Sequence, residues 1–198
     1  MRKYRFFNLM IMNMKEFILN LLKGIFQCLV NLFTSNKDVD YPSTYGTMIN
    51  VNNTVQNKKW DYVDMTKFLL SQELHIDNIL LNIVENTKIL DKLSPEDIEY
   101  QAILVKIAPH AYTLYVRKGV LSPTILCHEL KHLEQYELKK LELLKSKGYK
   151  WLGKEYPASY PYNQRPWEIE AFNAQGKLWR NYKQFKKAKA NETTKTSV

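Results

Sequence analysis

"TILCHELKHLEQYE", residues 124–137, carries two histidines four apart with a glutamate directly after the first. On an α-helix, residues i and i+4 share a face, so His128 and His132 can aim ring nitrogens at one point. Glu129 lies about 100° around the helix from His128, near enough to act on a water held at that point. A catalytic zinc centre needs this division of labour: three protein ligands, a fourth position open for water, and a general base alongside. The same four-letter spacing also arises by chance, and a lone helical histidine is more often a surface or satisfied core residue. Here, however, two of the chain's four histidines fall at ligand spacing around a glutamate. Leu126, Leu130 and Leu133 form a second face suited to the core, with Glu129 between the two faces and Lys131 and Glu134 in a sector suited to solvent.

Working outward, Ser122-Pro123 reads as an N-cap followed by proline at the first helical position, and Gly148 as the stop of a helix reaching about Lys147. Upstream, "AILVKIA" and "AYTLYVRK" read as strands separated by Pro109-His110, and "NILLNIVEN" as a further strand. "DMTKFLLSQEL" predicts a helix with Asp64 as N-cap, and "LSPEDIEY" a short helical turn opened by Ser94 and Pro95. Downstream, "YKWLGKEYPASYPYNQR" reads as a tyrosine- and proline-rich loop, after which Pro166 opens a last helix that frays into a polar tail.

That last helix begins "PWEIEAFNAQ" and holds two candidate third ligands, Glu168 and Glu170. Two residues apart on a helix means about 200° apart, so only one of them can face the ion. An H-E-x-x-H helix, a loop, and a helix carrying E-x-x-A together resemble the gluzincin branch of zincin-like metallopeptidases, the compact bacterial and phage-encoded minigluzincins most of all. The resemblance spans roughly residues 98–175. It implies an α+β zincin-like fold, with a small antiparallel or mixed sheet packed on the H-E-x-x-H helix. It implies Zn2+ held by His128, His132 and Glu168, Glu129 as catalytic general base, and a peptide or protein as substrate. Glu170 would then be a solvated charge. Many family members carry Asp directly after the Ala to support a ligand histidine. Phe172 stands there in this chain, and Asn173 is a candidate replacement. The family also presents an edge strand beside the active-site helix, a role that "AYTLYV" would fill. Tyr156, Tyr160, Tyr162 and His110 are candidate oxyanion donors, although each taken singly reads first as a packing or surface residue. Cys127 reads as a small buried residue and His75 as incidental.

The rest of the chain adds bounds. At 198 residues, with 45% hydrophobic and 25% charged side chains, it can bury one core, and wholesale disorder is excluded. Two cysteines without a CxxC pair exclude a thiolate zinc site and a disulfide framework. The net charge of +9 gathers towards the ends, which suits an acidic surface or simple solubility, and no motif of a specific nucleic-acid reader occurs. Residues 1–33 contain an apolar helical repeat, broken by Lys15, Glu16 and Lys23. That pattern is too charged for an ordinary span and fits an interfacial helix, an atypical signal-anchor or a packed helix, and the reading favours membrane association. Residues 34–59 read as linker, 60–190 as the metallopeptidase domain and 191–198 as a disordered tail. Two rivals stand beside the enzyme: a non-catalytic zincin-fold interaction protein, for instance in a phage particle, and a membrane- or anionic-polymer-binding protein.

Overall fold

β2 (Ile79–Glu85), "ILLNIVE", is apolar at nearly every position because both of its faces are covered. It pairs in parallel with β1 (Ile49–Asn53) on one side and with β4 (Ala111–Val116) on the other. β3 (Ala102–Ala108) runs antiparallel to β4 and closes the order β1-β2-β4-β3. The computed structural model describes residues 48–55, 59–93, 99–144 and 148–195. Within them the architecture is α+β, a mixed four-stranded sheet packed with helices.

The helices are α1 (Tyr62–Phe68), which continues as a π turn over Leu69–Glu73, α2 (Thr87–Leu93), α3 (Pro123–Glu137) and α4 (Pro166–Lys195). Met65 and Leu69, Leu81 and Ile83 of β2, Leu114 and Val116 of β4, the three leucines of α3, and Leu178 and Tyr182 of α4 form one core. A second, smaller cluster lies under β5 (Leu141–Leu143), β6 (Tyr149–Trp151) and β7 (Lys154–Tyr156), where Leu141 and Trp151 pack around Trp167.

Several sequence expectations change. Residues 49–53, assigned to the linker, are β1, so the folded unit starts before Trp60. Asp61 rather than Asp64 caps α1, accepting from the N–H groups of Val63 and Asp64 at 3.1 and 3.0 Å. α2 was not foreseen, although Asn86 Oδ1 accepts from Ile89 N–H as an N-terminal cap does. The motif helix ends at Glu137, ten residues before Lys147, because Lys139 turns left-handed (φ 54°) and delivers Leu141 into contact with Trp151 and Trp167. The first half of the aromatic "loop" after Gly148 is the hairpin β6-β7, which pairs with β5 and is turned by Leu152 (φ 47°) and Gly153 (φ 86°). Two successive positive φ angles match the right-handed twist of a hairpin. α4 continues through Lys195, so most of the expected tail is helical. The Ser94-Pro95 turn and residues 1–33 lie outside the described residues, among which no helix is long and apolar enough to cross a membrane.

The end of α3 is tied to the β3–β4 hairpin through Glu137. Its carboxylate accepts from Lys106 Nζ at 3.2 Å and from Tyr112 Oη, and meets His110 Nδ1 at 2.5 Å. Burial pushes this carboxyl up, but the bonds from Tyr112, Lys106 and His110 outweigh burial and hold it below the usual range. A lowered carboxyl pKa stabilises the fold above the unfolded value, and that stabilisation is lost as pH falls through the folded value. Glu137→Gln is therefore expected to cost about 1–3 kcal/mol near neutral pH. The gap between variant and wild type should shrink as pH is lowered past about 4.5, measured by urea unfolding across pH.

Candidate metal centre

α3 is placed by its start and by one face. Ser122 Oγ accepts from Ile125 N–H at 3.3 Å, Pro123 occupies the first turn, and Leu126, Leu130 and Leu133 are fully buried. With that face fixed, His128 and His132 turn towards α4, which packs along α3. Ala171 is fully buried, and its small side chain suits close helix packing. Glu168, in the first turn of α4, is brought onto the two histidines.

The three donor atoms form a nearly equilateral triangle. His128 Nε2 lies 3.2 Å from Glu168 Oε2, His132 Nε2 lies 3.3 Å from the same oxygen, and the two Nε2 atoms are 3.1 Å apart. Ligands placed tetrahedrally at zinc's bond lengths of about 2.0–2.1 Å stand about 3.3 Å from one another, so the donor set fits that ion. All three residues are buried. Glu170 points elsewhere: its carboxylate accepts from Lys140 Nζ at 3.2 Å and Gln135 Nε2 at 2.8 Å, with Lys131 Nζ at 3.6 Å. It is thus an engaged ion-pair partner, where a merely solvated charge was expected. Glu134, also assigned to solvent, is buried and pairs with Lys131.

Gln135 is the site residue that the sequence reading missed. Its Nε2 donates to Trp167 O at 2.9 Å and to Glu170 at 2.8 Å, so its amide oxygen must face His132. That oxygen lies 2.8 Å from His132 Nδ1 and accepts its proton. The bond fixes the neutral tautomer with the Nε2 lone pair turned to the cluster, the form a metal ligand requires. The signal was available: Gln135 is three residues beyond His132, on the same helical face. Gln135→Leu is expected to weaken zinc binding by about 10–100-fold, read by competition with a chromophoric chelator.

His128 has no such support. Its Nδ1 is buried without a hydrogen-bond partner, and the Phe172 ring packs against the imidazole with centroids 4.6 Å apart. Asn173 is exposed and does not supply the missing bond.

The electrostatics couple the cluster together. Burial raises the Glu168 carboxyl, but bonds from His128, His132 and Tyr162 overcome this and hold it well below the carboxylate range. Burial lowers His132, yet its hydrogen bond and charge attraction to Glu168, with the nearby Glu129, lift it to about 8. A metal must displace that proton to bind. Glu129 is buried, and desolvation pushes its carboxyl up against the opposing charges of His132 and His128, while the Leu104 backbone donates to it.

Leu104 belongs to β3, and β3 is the strand that runs beside the site. β4, expected at the edge, is internal, since β2 and β3 flank it. A cavity of about 230 Å³ lies between β3 and the β5-β6-β7 sheet, lined by Ala102–Lys106, His128, His132, Glu168, Glu129, Tyr162 and Arg165. Tyr162 lines the same cavity as Glu168, its ring edge-on to Phe172. Tyr156 packs on Trp167 and Tyr160 on Tyr156, and His110 is engaged by Glu137. Cys127 is fully buried and desolvation pushes its thiol up to about 12, the behaviour of an inert core residue.

Compared with protein-family models, curated proteins and solved structures, the chain matches none. The functional reading therefore rests on its own residues.

Proposed function

We propose that this protein is a zinc-dependent metallopeptidase of compact, gluzincin-like design. The observation that carries the reading is the convergence of His128 Nε2, His132 Nε2 and Glu168 Oε2 within hydrogen-bond distance of one another, beside a buried glutamate. Zinc, when bound, would polarise a scissile carbonyl and lower the pKa of a water. Glu129, its carboxyl held up by burial, is suited to take a proton from that water and return it to the leaving amine. Among the described residues β3 is an edge strand, to which an extended peptide could add as a further strand, and its residues line the cavity that holds Glu129 and the cluster. Tyr162 lines the same cavity, and its O–H would be the donor to a developing oxyanion.

A second reading has one observation in its favour. The unpartnered Nδ1 of His128, packed under Phe172, is a weaker ligand arrangement than a histidine backed by a carboxylate, and it suits a metal-binding but non-catalytic module. Incubating the zinc-loaded protein with a mixed peptide pool, with and without chelator, separates the two by mass spectrometry. Chelator-sensitive cleavage supports the peptidase; full zinc loading with no cleaved peptide supports the module.

A further inference from the structure

Arg165 lies three residues before Glu168 and lines the same cavity as Glu129 and the metal cluster. It is only 8% exposed. Nε donates to Tyr160 O at 3.1 Å, and Nη2 donates to Ala158 O at 3.2 Å. The guanidinium stands over the rings of Tyr149, Tyr162 and Trp167, at 5.1, 5.5 and 5.9 Å from their centroids. Among the described residues, no carboxylate comes within ion-pair distance of it. The contrast with Arg117 is direct, since that side chain pairs with Asp91 at 2.7 Å and Glu99 at 3.0 Å. Lys106, at the β3 side of the cavity, is already neutralised by Glu137.

Taking a guanidinium out of water without an opposite charge is costly, and carbonyls and aromatic faces repay only part of that cost. Arginine's planar fork matches a carboxylate with two parallel charge-assisted bonds, the strongest hydrogen bonds available to it. With zinc bound, the ion's two positive charges balance Glu129 and Glu168, which leaves Arg165 as the net charge of the cavity. We infer that Arg165 is the anchor for a substrate carboxylate, so that the cavity takes peptides bearing a carboxylate close to the scissile bond. That group is either the peptide's own C-terminus or an Asp or Glu side chain. The inference rests on the peptidase reading for the identity of the ligand as a peptide. A purely structural Arg165, holding the carbonyls of Ala158 and Tyr160, would confer no such preference.

The test uses zinc-loaded full-length Glu129→Gln, which should bind peptides without turning them over, and isothermal calorimetry. Peptides are compared in pairs, free acid against C-terminal amide and Asp or Glu against Asn or Gln, so each carboxylate source has its own arm. In at least one arm the acid should bind at least about tenfold more tightly than its neutral partner. Adding Arg165→Met should erase that preference while zinc content and affinity for the neutral peptide hold, and Arg165→Lys should keep part of it. Equal affinity within both pairs, or no binding by any peptide, overturns the inference without recourse to any Arg165 variant. So does a preference that survives in folded, zinc-loaded Arg165→Met. Acid-selective binding to a protein whose Glu129 form cleaves nothing leaves the carboxylate anchor standing and removes the peptidase reading instead.

Discussion

Glu129→Gln is expected to keep its zinc and to lose at least about a hundredfold in peptide turnover. The substitution preserves size and leaves His128, His132 and Glu168 in place, but an amide cannot accept a proton at neutral pH. Burial should make the variant no less stable than wild type, because it replaces a desolvated carboxyl with a neutral group of the same shape. Metal content by elemental analysis and turnover of a cleaved peptide, measured on the same sample, check both halves. Loss of metal in Glu129→Gln would mean that Glu129 is a ligand or a structural support, and the assignment of roles would have to be redrawn.

The second large effect separates the two glutamates of α4. Glu168→Gln removes the charged oxygen that stands 3.2 and 3.3 Å from the histidine nitrogens, and zinc binding should weaken by about an order of magnitude or more. Glu170→Gln touches only Lys131, Lys140 and the far end of Gln135, which Trp167 O continues to hold. It should leave zinc content unchanged and cost no more than about 1 kcal/mol, as for other partly exposed ion pairs. Chelator competition and denaturant unfolding on the two variants give both numbers. A larger loss of zinc in Glu170→Gln than in Glu168→Gln would overturn the ligand set.

The parts of this site legible in the sequence are those governed by helical geometry alone. The i, i+4 spacing brings His128 and His132 together, Ser122-Pro123 marks where their helix begins, and the 200° between Glu168 and Glu170 means that only one can join them. The three apolar strands were legible for a similar reason, since β-branched and aromatic runs have few other uses. What escaped depends on contacts between segments distant in sequence. The spacing of Leu138, Leu141 and Leu144 continues a helix as well as it starts a strand, and only burial of Leu141 against Trp151 and Trp167 decides for the strand. β1 is polar in its visible pattern because it is an edge strand, with only every second residue partly buried. β3 and β4 are both rich in apolar strand formers, so which of them lies at the edge follows from the parallel pairing of β4 with β2. Gln135 looks like a surface residue until Trp167 and Glu170 hold one end of its amide.

The departure at Phe172 has a physical counterpart. Where a carboxylate would back His128, an aromatic ring packs on the imidazole and Nδ1 is left without a partner. A buried polar atom in that condition costs about 1–3 kcal/mol, and the ring lacks the hydrogen bond that would fix its orientation as a ligand. His132, held through Gln135, is the better-supported ligand, so His132→Ala should lose more zinc affinity than His128→Ala.

The central claim is that His128, His132 and Glu168 hold one metal ion. Its most direct test is elemental analysis of the purified protein beside the double variant His128→Ala/His132→Ala. The account predicts about one zinc per chain in the wild type and close to none in the double variant. Stoichiometric zinc persisting after both histidines are removed would contradict it.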